Sequence, residues 1–375
     1  MSADRRSGYP ALICRLMWVG LLVAGLWPFN FLPKNRVEWL RDTNGVRFSR
    51  YGQIYCKDFW KLNPLGTSPD REASWSLELW LEPASNVGWG GTVLTNYDPA
   101  LARNLTIDQS LTDLVVRALV RDHDGHVIFK NLWLDDIFRS QPHHFVTITT
   151  GAEGSASYLE GVPLKSYPYT IDGRNFSGTL LLGHPASGDG GWSGTVRGLA
   201  FYDRTLTPQE VLEHYRAWQE GNFRHLSTVE RAAVLYAFDE NSGNLIHDHA
   251  GRMSDLTIPP NFFILHRTFL SSPDIHHLDW MDIALNIFGF IPFGLVTAAY
   301  VLQARPMSTA GAALVATIIG AATSLMIELL QAYLPSRDSS LLDFINNVLG
   351  TGLGALMIRV PTICGFFAFI PRPEV

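Results

Sequence analysis

The chain has 375 residues, 47% of them hydrophobic, and a formal net charge of −6. That length holds two or three domains with full cores. The acidic balance argues against a nucleic-acid partner, which would need a basic face. Cys14, Cys56 and Cys364 are too few and too scattered for a disulfide framework or a zinc site. Cys56 reads as a small core residue. The average hides two solvents: the middle of the chain is polar and aromatic-rich, whereas the last hundred or so residues are apolar with few charges.

Residues 1–33 hold a cytoplasmic tail and a first membrane helix, roughly 11–31, with Arg15 near its cytoplasmic end where it can snorkel. A cleaved signal peptide is the alternative, with Arg5 and Arg6 as its charged region. No small-x-small cleavage site follows; the sequence reads Trp27-Pro28-Phe29-Asn30-Phe31. A retained anchor is the expectation. Cys14 is not expected to carry lipid, because Ile13 is too large and the apolar run follows the cysteine.

Residues 37–259 change to a period of two. Trp75, Leu77, Leu79 and Leu81 share one face, and Ser76, Glu78 and Glu82 the other. Phe145-Val-Thr-Ile-Thr149, Thr179-Leu-Leu-Leu-Gly183 and residues 195–202 read as further strands between Gly- and Asp-rich turns, the pattern of a β-sandwich. One helix is expected over 207–219, with Thr207 as its cap, Pro208 in its first turn and Glu210 at the capping-box position.

Ser76-Leu-Glu-Leu-Trp-Leu-Glu-Pro83, His143-His-Phe-Val-Thr147, Tyr158-Leu-Glu-Gly-Val162 and Tyr202-Asp-Arg-Thr-Leu-Thr-Pro-Gln-Glu-Val211 resemble LamG-like, concanavalin A-like jelly-roll domains. The resemblance covers about residues 40–220. Such domains usually open with an element like Tyr236-Ala-Phe-Asp-Glu-Asn-Ser-Gly243 and Ile246-His-Asp-His-Ala-Gly251, which here follows the helix. Either a second, truncated copy begins there, or residues 231–259 return to complete the first sandwich in permuted order. About thirty residues cannot bury a core alone, so the permuted reading is preferred.

Hydrolysis by the sandwich is disfavoured, since the Glu-x-Asp-x-Glu strand of related glucanases is absent and Leu, Trp and Leu separate Glu78 from Glu82. Trp80, Trp89 and Trp192 are candidates for stacking on sugar rings, against the commoner use of Trp in packing. Asp98, Asp108 and Asp189 could help hold calcium, against turn-capping; no other cofactor or metal is expected. Asn104-Leu-Thr106 and Asn175-Phe-Ser177 match a glycosylation sequon by pattern only.

Residues 260–278 form a connector, in which Asp274, His276 and His277, with Asp279 beyond, read as an interfacial loop more readily than as a metal site. Residues 279–370 carry the remaining membrane helices, near 279–304, 309–334 and from 341 to about 359, for an expected bundle of about four. The apolar tail beyond Val360 extends the last helix or turns at Pro361. Arg5, Arg6, Arg15, Arg305, Arg359 and Arg372 fall on one side if both termini are cytoplasmic, which exports the sandwich; Arg337 is the exception.

Within the apolar helices, polar residues fall one turn apart: Asp282 with Asn286, Glu328 with Gln331, and Asp343 with Asn346 and Asn347. The loop 335–339 adds Arg337 and Asp338. The expected pocket comprises these nine residues, with their faces turned inward because a carboxylate in lipid is costly. Gly350 and Gly354 give a stripe that permits close packing.

Asp282-Ile-Ala-Leu-Asn-Ile-Phe-Gly-Phe-Ile-Pro-Phe-Gly294, Ser324-Leu-Met-Ile-Glu-Leu-Leu-Gln331, Arg337 and Asp343-Phe-Ile-Asn-Asn-Val-Leu-Gly350 resemble the VanZ-like membrane domain. Pro28-Phe29 resembles that family's opening helix, which makes the sandwich an insertion. The resemblance implies a bacterial protein, in a family named from glycopeptide resistance, and leaves the biochemical activity open. Two functions lead the expectations, with a transporter third because four helices form a small pathway unless the protein oligomerises. In one, the sandwich recognises a glycan or a protein and the cluster meets a lipid-linked or wall-derived group at the outer leaflet. In the other, Glu328 or Asp343 is acid or base of an enzyme on such a substrate, with Arg337 holding a phosphate or carboxylate. The expected partners are the bilayer and cell-wall or extracellular polysaccharide. The cluster could also serve only to hydrogen-bond helices together.

Overall fold

A computed structural model of the chain describes residues 9–57, 59, 74–84, 90–101, 103–122, 124–139, 143–188, 190–252, 254–272 and 279–360. Two compact units result. One is Leu32–His266; the other joins Met1–Phe31 to Arg267–Val375.

The first unit is a sandwich of two antiparallel sheets. One runs β1 (Val37–Trp39), β2 (Val46–Phe48), β14 (Gly194–Tyr202), β4 (Trp75–Pro83), β9 (His144–Gly151), β10 (Gly154–Leu159) and β11 (Val162–Tyr167), with β15 (Val234–Tyr236) also on β14. The other runs β12 (Thr170–Ile171), β7 (Asp113–Arg121), β6 (Leu105–Ser110), β5 (Gly91–Tyr97), β13 (Thr179–Leu182), β3 (Ile54–Cys56), β17 (Leu256–Thr257) and β16 (Leu245–Ile246), with β8 (Val127–Leu134) also on β7. The two-residue period of β4 sends Trp75, Leu77, Leu79 and Leu81 into the core. There Trp75 meets Phe176 edge-on, ring centroids 4.6 Å apart.

The segment after the helix contributes to both sheets. Leu199, Ala200 and Phe201 of β14 pair with Tyr236, Leu235 and Val234. Gly194, Thr195 and Val196 pair with Phe48, Arg47 and Val46. β15 and β2 therefore lie end to end along one edge of β14, and the Gly45 N–H donates to the Phe238 carbonyl at 2.8 Å. Thr257 of β17 pairs with Tyr55 in the opposite sheet. Tyr236, Phe238, Ile246 and Leu256 share the core of Trp75, Leu77 and Leu79. An apolar strand here would otherwise be a sticky edge.

The incoming and outgoing chains of the sandwich run side by side. Asn35 Nδ2 donates to the Gln53 and Pro259 carbonyls, both at 2.8 Å, and Asn35 Oδ1 accepts from the Gln53 N–H at 2.8 Å. The Phe262 N–H donates to the Pro33 carbonyl at 2.9 Å. A domain whose ends meet in this way can be inserted between two helices without spreading them.

Outside the sheets, α2 (Pro208–Gln219) starts with the full capping box of Thr207 and Glu210. It covers the outer side of β14 and β9 through Val211, Ala217 and Trp218, packed among Phe145, Tyr158, Ala200 and Tyr202.

The second unit holds α1 (Tyr9–Leu26), α3 (Trp280–Ala304), α4 (Thr309–Gln331) and α5 (Leu341–Met357). α3 and α4 are long and apolar enough to cross a bilayer, whereas α1 and α5 are apolar but shorter. The tail from residue 361 lies outside the described residues. The polarity of α4 and α5 is inverted relative to a water-soluble bundle. α4 exposes Leu314, Ile318, Leu325 and Leu329 and buries Gly320, Thr323, Ser324, Glu328 and Gln331. α5 exposes Ile345, Leu349, Leu353 and Leu356 and buries Asn346, Asn347, Gly350, Thr351 and Gly354. Small and polar residues inside with aliphatic residues outside suit hydrocarbon as the surrounding solvent.

Candidate functional site

The polar residues gather where helix ends of the second unit meet. Gly350 and Gly354 of α5 sit under the Ile287 and Ile291 carbonyls of α3, so a Cβ at either position would collide with backbone. Gly294 of α3 lies under the Thr351 carbonyl, and Gly320 of α4 lies against the Thr351 side chain. These matched spacings of four let the helices approach closely enough for short polar side chains to meet.

Asp343, in the first turn of α5, lies beside Asp282 and Asn286 on α3, where the Asn286 Nδ2 is buried without a hydrogen-bond partner. Glu328, buried near the end of α4, lies close enough to Asp343 and Asp282 to feel their charge. Its Oε2 accepts the Ser340 N–H at 2.7 Å. Asn347 Nδ2 donates to Ser324 Oγ at 3.0 Å. Gln331 Nε2 donates to the Gly25 carbonyl at the end of α1, at 2.9 Å. The loop after α4 is strapped down by the connector: the Ser271 N–H and hydroxyl both donate to the Ser339 carbonyl at 2.8 Å. Arg267 and Phe269 pack on the Tyr333 ring.

Three details differ from the sequence expectation. Asp282 is exposed at the first turn of α3 and forms the rim of the cluster. Arg337 is exposed as well; its Nε and Nη2 each stand 3.4 Å from the Trp27 carbonyl oxygen. Among the described residues it forms no ion pair with Glu328, Asp343 or Asp282; its guanidinium stands at the Trp27 carbonyl, and a backbone N–H reaches Glu328. Asp338 is exposed on the same loop, and Asp279 caps α3 through the Met281 and Asp282 N–H groups. Asp274, His276 and His277 lie outside the described residues.

The sandwich candidates fare differently. Trp192 is fully buried in the core, and its indole N–H donates to Gln109 Oε1 at 2.8 Å, so it offers no face to a sugar. Trp80 is half-buried, edge-on to Phe145 and Trp218 at 6.4 Å each. Trp89 and Asp189 lie outside the described residues. Asp108 accepts from Thr92 and Thr106 hydroxyls at 2.5 and 2.6 Å and pairs with Arg117, which leaves it committed inside the sheet. Asp98 caps a turn through the Ala100 N–H at 2.9 Å. Asn175 is fully buried and its amide binds the Leu119 and Asp172 carbonyls, so the second sequon is not a reachable acceptor.

Sequence reading missed the fate of Glu78. It is fully buried beneath α2. His214 Nδ1 lies 2.7 Å from its Oε1, and Trp218 Nε1 and Tyr202 OH donate to its Oε2 at 2.8 and 3.1 Å. Beyond it, Glu230 lies 3.4 Å from His214 Nε2 and pairs with Arg204 at 3.0 Å. Burial pushes the imidazole pKa of His214 down, but the Glu78 and Glu230 carboxylates outweigh it and hold the value above the ordinary one. Burial, reinforced by Glu78, lifts the Tyr202 phenol well above its ordinary range. The signal in the sequence was His214 and Trp218, four apart on one helix face. With both His214 and Glu78 sealed from solvent, the network serves as a latch and offers no access to substrate.

The VanZ/LLP1 family profile matches residues 226–364, and that of the concanavalin A-like lectin/glucanases superfamily matches residues 61–212. The first match starts inside the sandwich, since the fold assigns everything up to His266 to that unit. No curated protein matches the sequence. Solved structures that resemble the chain include the binding domain of botulinum neurotoxin serotype D/C VPI 5993, at 13% identity and a TM-score of 0.38, covering 49% of this chain and 46% of that one. Another is the receptor-binding domain of botulinum neurotoxin mosaic serotype C/D, at 17% identity and a TM-score of 0.38, covering 50% and 45%. The chain spans less than half the length of either, and a likeness this distant says nothing of activity. The two family matches together support a cell-envelope protein that joins VanZ-like membrane helices to a lectin-like sandwich.

Proposed function

We propose that this is a bacterial cytoplasmic-membrane protein with both termini inside. Its exported sandwich recognises a cell-wall or extracellular glycan, and its helix-end cluster binds a lipid-linked or wall-derived group at the outer leaflet. The observation that carries this reading is the burial of Glu328, Gln331, Asn346 and Asn347 on inward helix faces beside Asp343, in helices whose outward faces are aliphatic. Burying so many polar groups in an apolar bundle costs free energy unless they meet partners. Helix packing leaves Gln331 Oε1, Asn347 Oδ1, Asn346 Nδ2 and Asn286 Nδ2 without partners, and in this reading a ligand supplies them.

The test is binding of the purified full chain to cell-wall and exopolysaccharide fractions, compared with Glu328→Gln. The reading expects Glu328→Gln, whose sandwich is untouched, to keep exopolysaccharide binding and to lose binding of the cell-wall fraction. No binding of either fraction by the native chain would refute it. A chemical change in a bound fraction that Glu328→Gln abolishes would turn the reading toward an enzyme.

A further inference from the structure

We infer that the helix-end cluster takes a ligand bearing a protonated primary amine. This rests on the proposed binding role of the cluster and adds the chemical class of what it binds. Glu328 is 1% exposed, and beside it the relative exposures of Gln331, Asn346 and Asn347 are 9%, 5% and 4%. Four buried amide atoms there have no hydrogen-bond partner: Gln331 Oε1, Asn347 Oδ1, Asn346 Nδ2 and Asn286 Nδ2. Gln331 lies one turn from Glu328 on α4, and Asn346 and Asn347 one turn from Asp343 on α5, so the unpartnered amides share the faces that carry the carboxylates.

The inventory is unbalanced toward acceptors. Glu328, Asp343 and Asp282 bring carboxylates, and two amide oxygens stand unused beside them. Two amide N–H₂ groups, those of Asn346 and Asn286, are spare, fewer than the three carboxylates and two amide oxygens together. The usual means of holding an anion are spent. The first N–H groups of α3 are taken by Asp279, the Asp343 N–H in the first turn of α5 by Ser340 Oγ, and the Ser340 N–H by Glu328. Arg337, on the adjoining loop, faces the Trp27 carbonyl. A phosphate or carboxylate would enter a site of its own charge. An ammonium group brings one positive charge and three donors, which the carboxylates and amide oxygens can accept, while Asn346 and Asn286 Nδ2 can donate to neighbouring ligand oxygens. A quaternary amine brings the charge without the donors and should bind less well.

Native mass spectrometry of the full chain in detergent tests this with dioleoylphosphatidylethanolamine, dioleoylphosphatidylcholine and dioleoylphosphatidylglycerol, and with ethanolamine as a soluble amine. The expected result is retention of phosphatidylethanolamine, ethanolamine or both about tenfold above the choline and glycerol lipids, the ratio for one charge-assisted hydrogen bond. Glu328→Gln and, separately, Asp343→Asn should each erase most of that preference with unchanged thermal unfolding. Retention of the lipid alone assigns the amine to a headgroup; retention of ethanolamine assigns it to a free amine. Equal retention of all lipids, preference for the glycerol lipid, or a preference that survives both variants would overturn the inference. If wall fractions still bind in a Glu328-dependent way, only the amine assignment fails; if nothing binds, the proposed function fails with it.

Discussion

Glu78→Ala tests whether α2 is held to the sandwich by a buried carboxylate. The substitution leaves three donors facing an apolar gap: His214 Nδ1, Trp218 Nε1 and Tyr202 OH, now 2.7, 2.8 and 3.1 Å from carboxylate oxygens. Each buried donor left unpaired costs about 1–3 kcal/mol. Relaxation and water entry return part of that, so the expected loss is about 4 kcal/mol, within the range for breaking a buried pair. For a domain of this size each kcal/mol moves the midpoint by about 2–4 °C, which gives a fall of about 8–16 °C. Thermal unfolding of the full chain, followed by near-UV circular dichroism of the tryptophans, measures it. The native protein should also lose stability with rising pH. Its folded state favours protonated His214, so that contribution is complete below the ordinary imidazole value of 6.5 and fades as pH climbs through the raised folded value. In Glu78→Ala this slope should flatten. A midpoint shift under about 3 °C, with the pH slope unchanged, would refute the latch.

Three further outcomes are expected. Gly354→Val drives a side chain into the Ile291 carbonyl, separating α3 from α5 at a cost of about 1–3 kcal/mol or more; a monodisperse variant with native thermal stability in detergent would contradict that packing. Deleting residues 231–259 removes β15, β16 and β17 from both sheets, so the variant should aggregate through the open edge of β14, as size-exclusion chromatography would report. Labelling of single cysteines in a chain lacking the native ones should reach residues 40–270 and position 337 from outside, and position 305 only after permeabilisation; an external 305 would overturn the proposed topology.

Local pattern made much of the architecture legible. The two-residue period of β4, the Thr207 and Glu210 box of α2 and the apolar runs of α3 and α4 depend on neighbours a few residues away, and they stand in the structure where the pattern puts them. So do the one-turn spacings that bring Glu328 with Gln331, and Asn346 and Asn347 beside the half-buried Asp343, to inward faces. Trp192 and Glu78 show where such reading stops. Alternation says which residues share a face but not what covers that face. Trp192 reads as exposed until the core is assembled around it, and Glu78 reads as a solvent-facing residue until α2, more than a hundred residues later, closes over it.

Arg337 shows the same limit in the membrane unit: sequence names the nearest cation, but only the folded loop shows that it turns to the Trp27 carbonyl while the Ser340 N–H reaches Glu328. By itself the sequence determined the secondary elements, the two solvents and the types of residue available at the helix ends. Tertiary structure decided which acceptors are left over and which carboxylate is sealed. Hydrogen-bond partnership and burial are set by groups distant in the chain, and no local period encodes them.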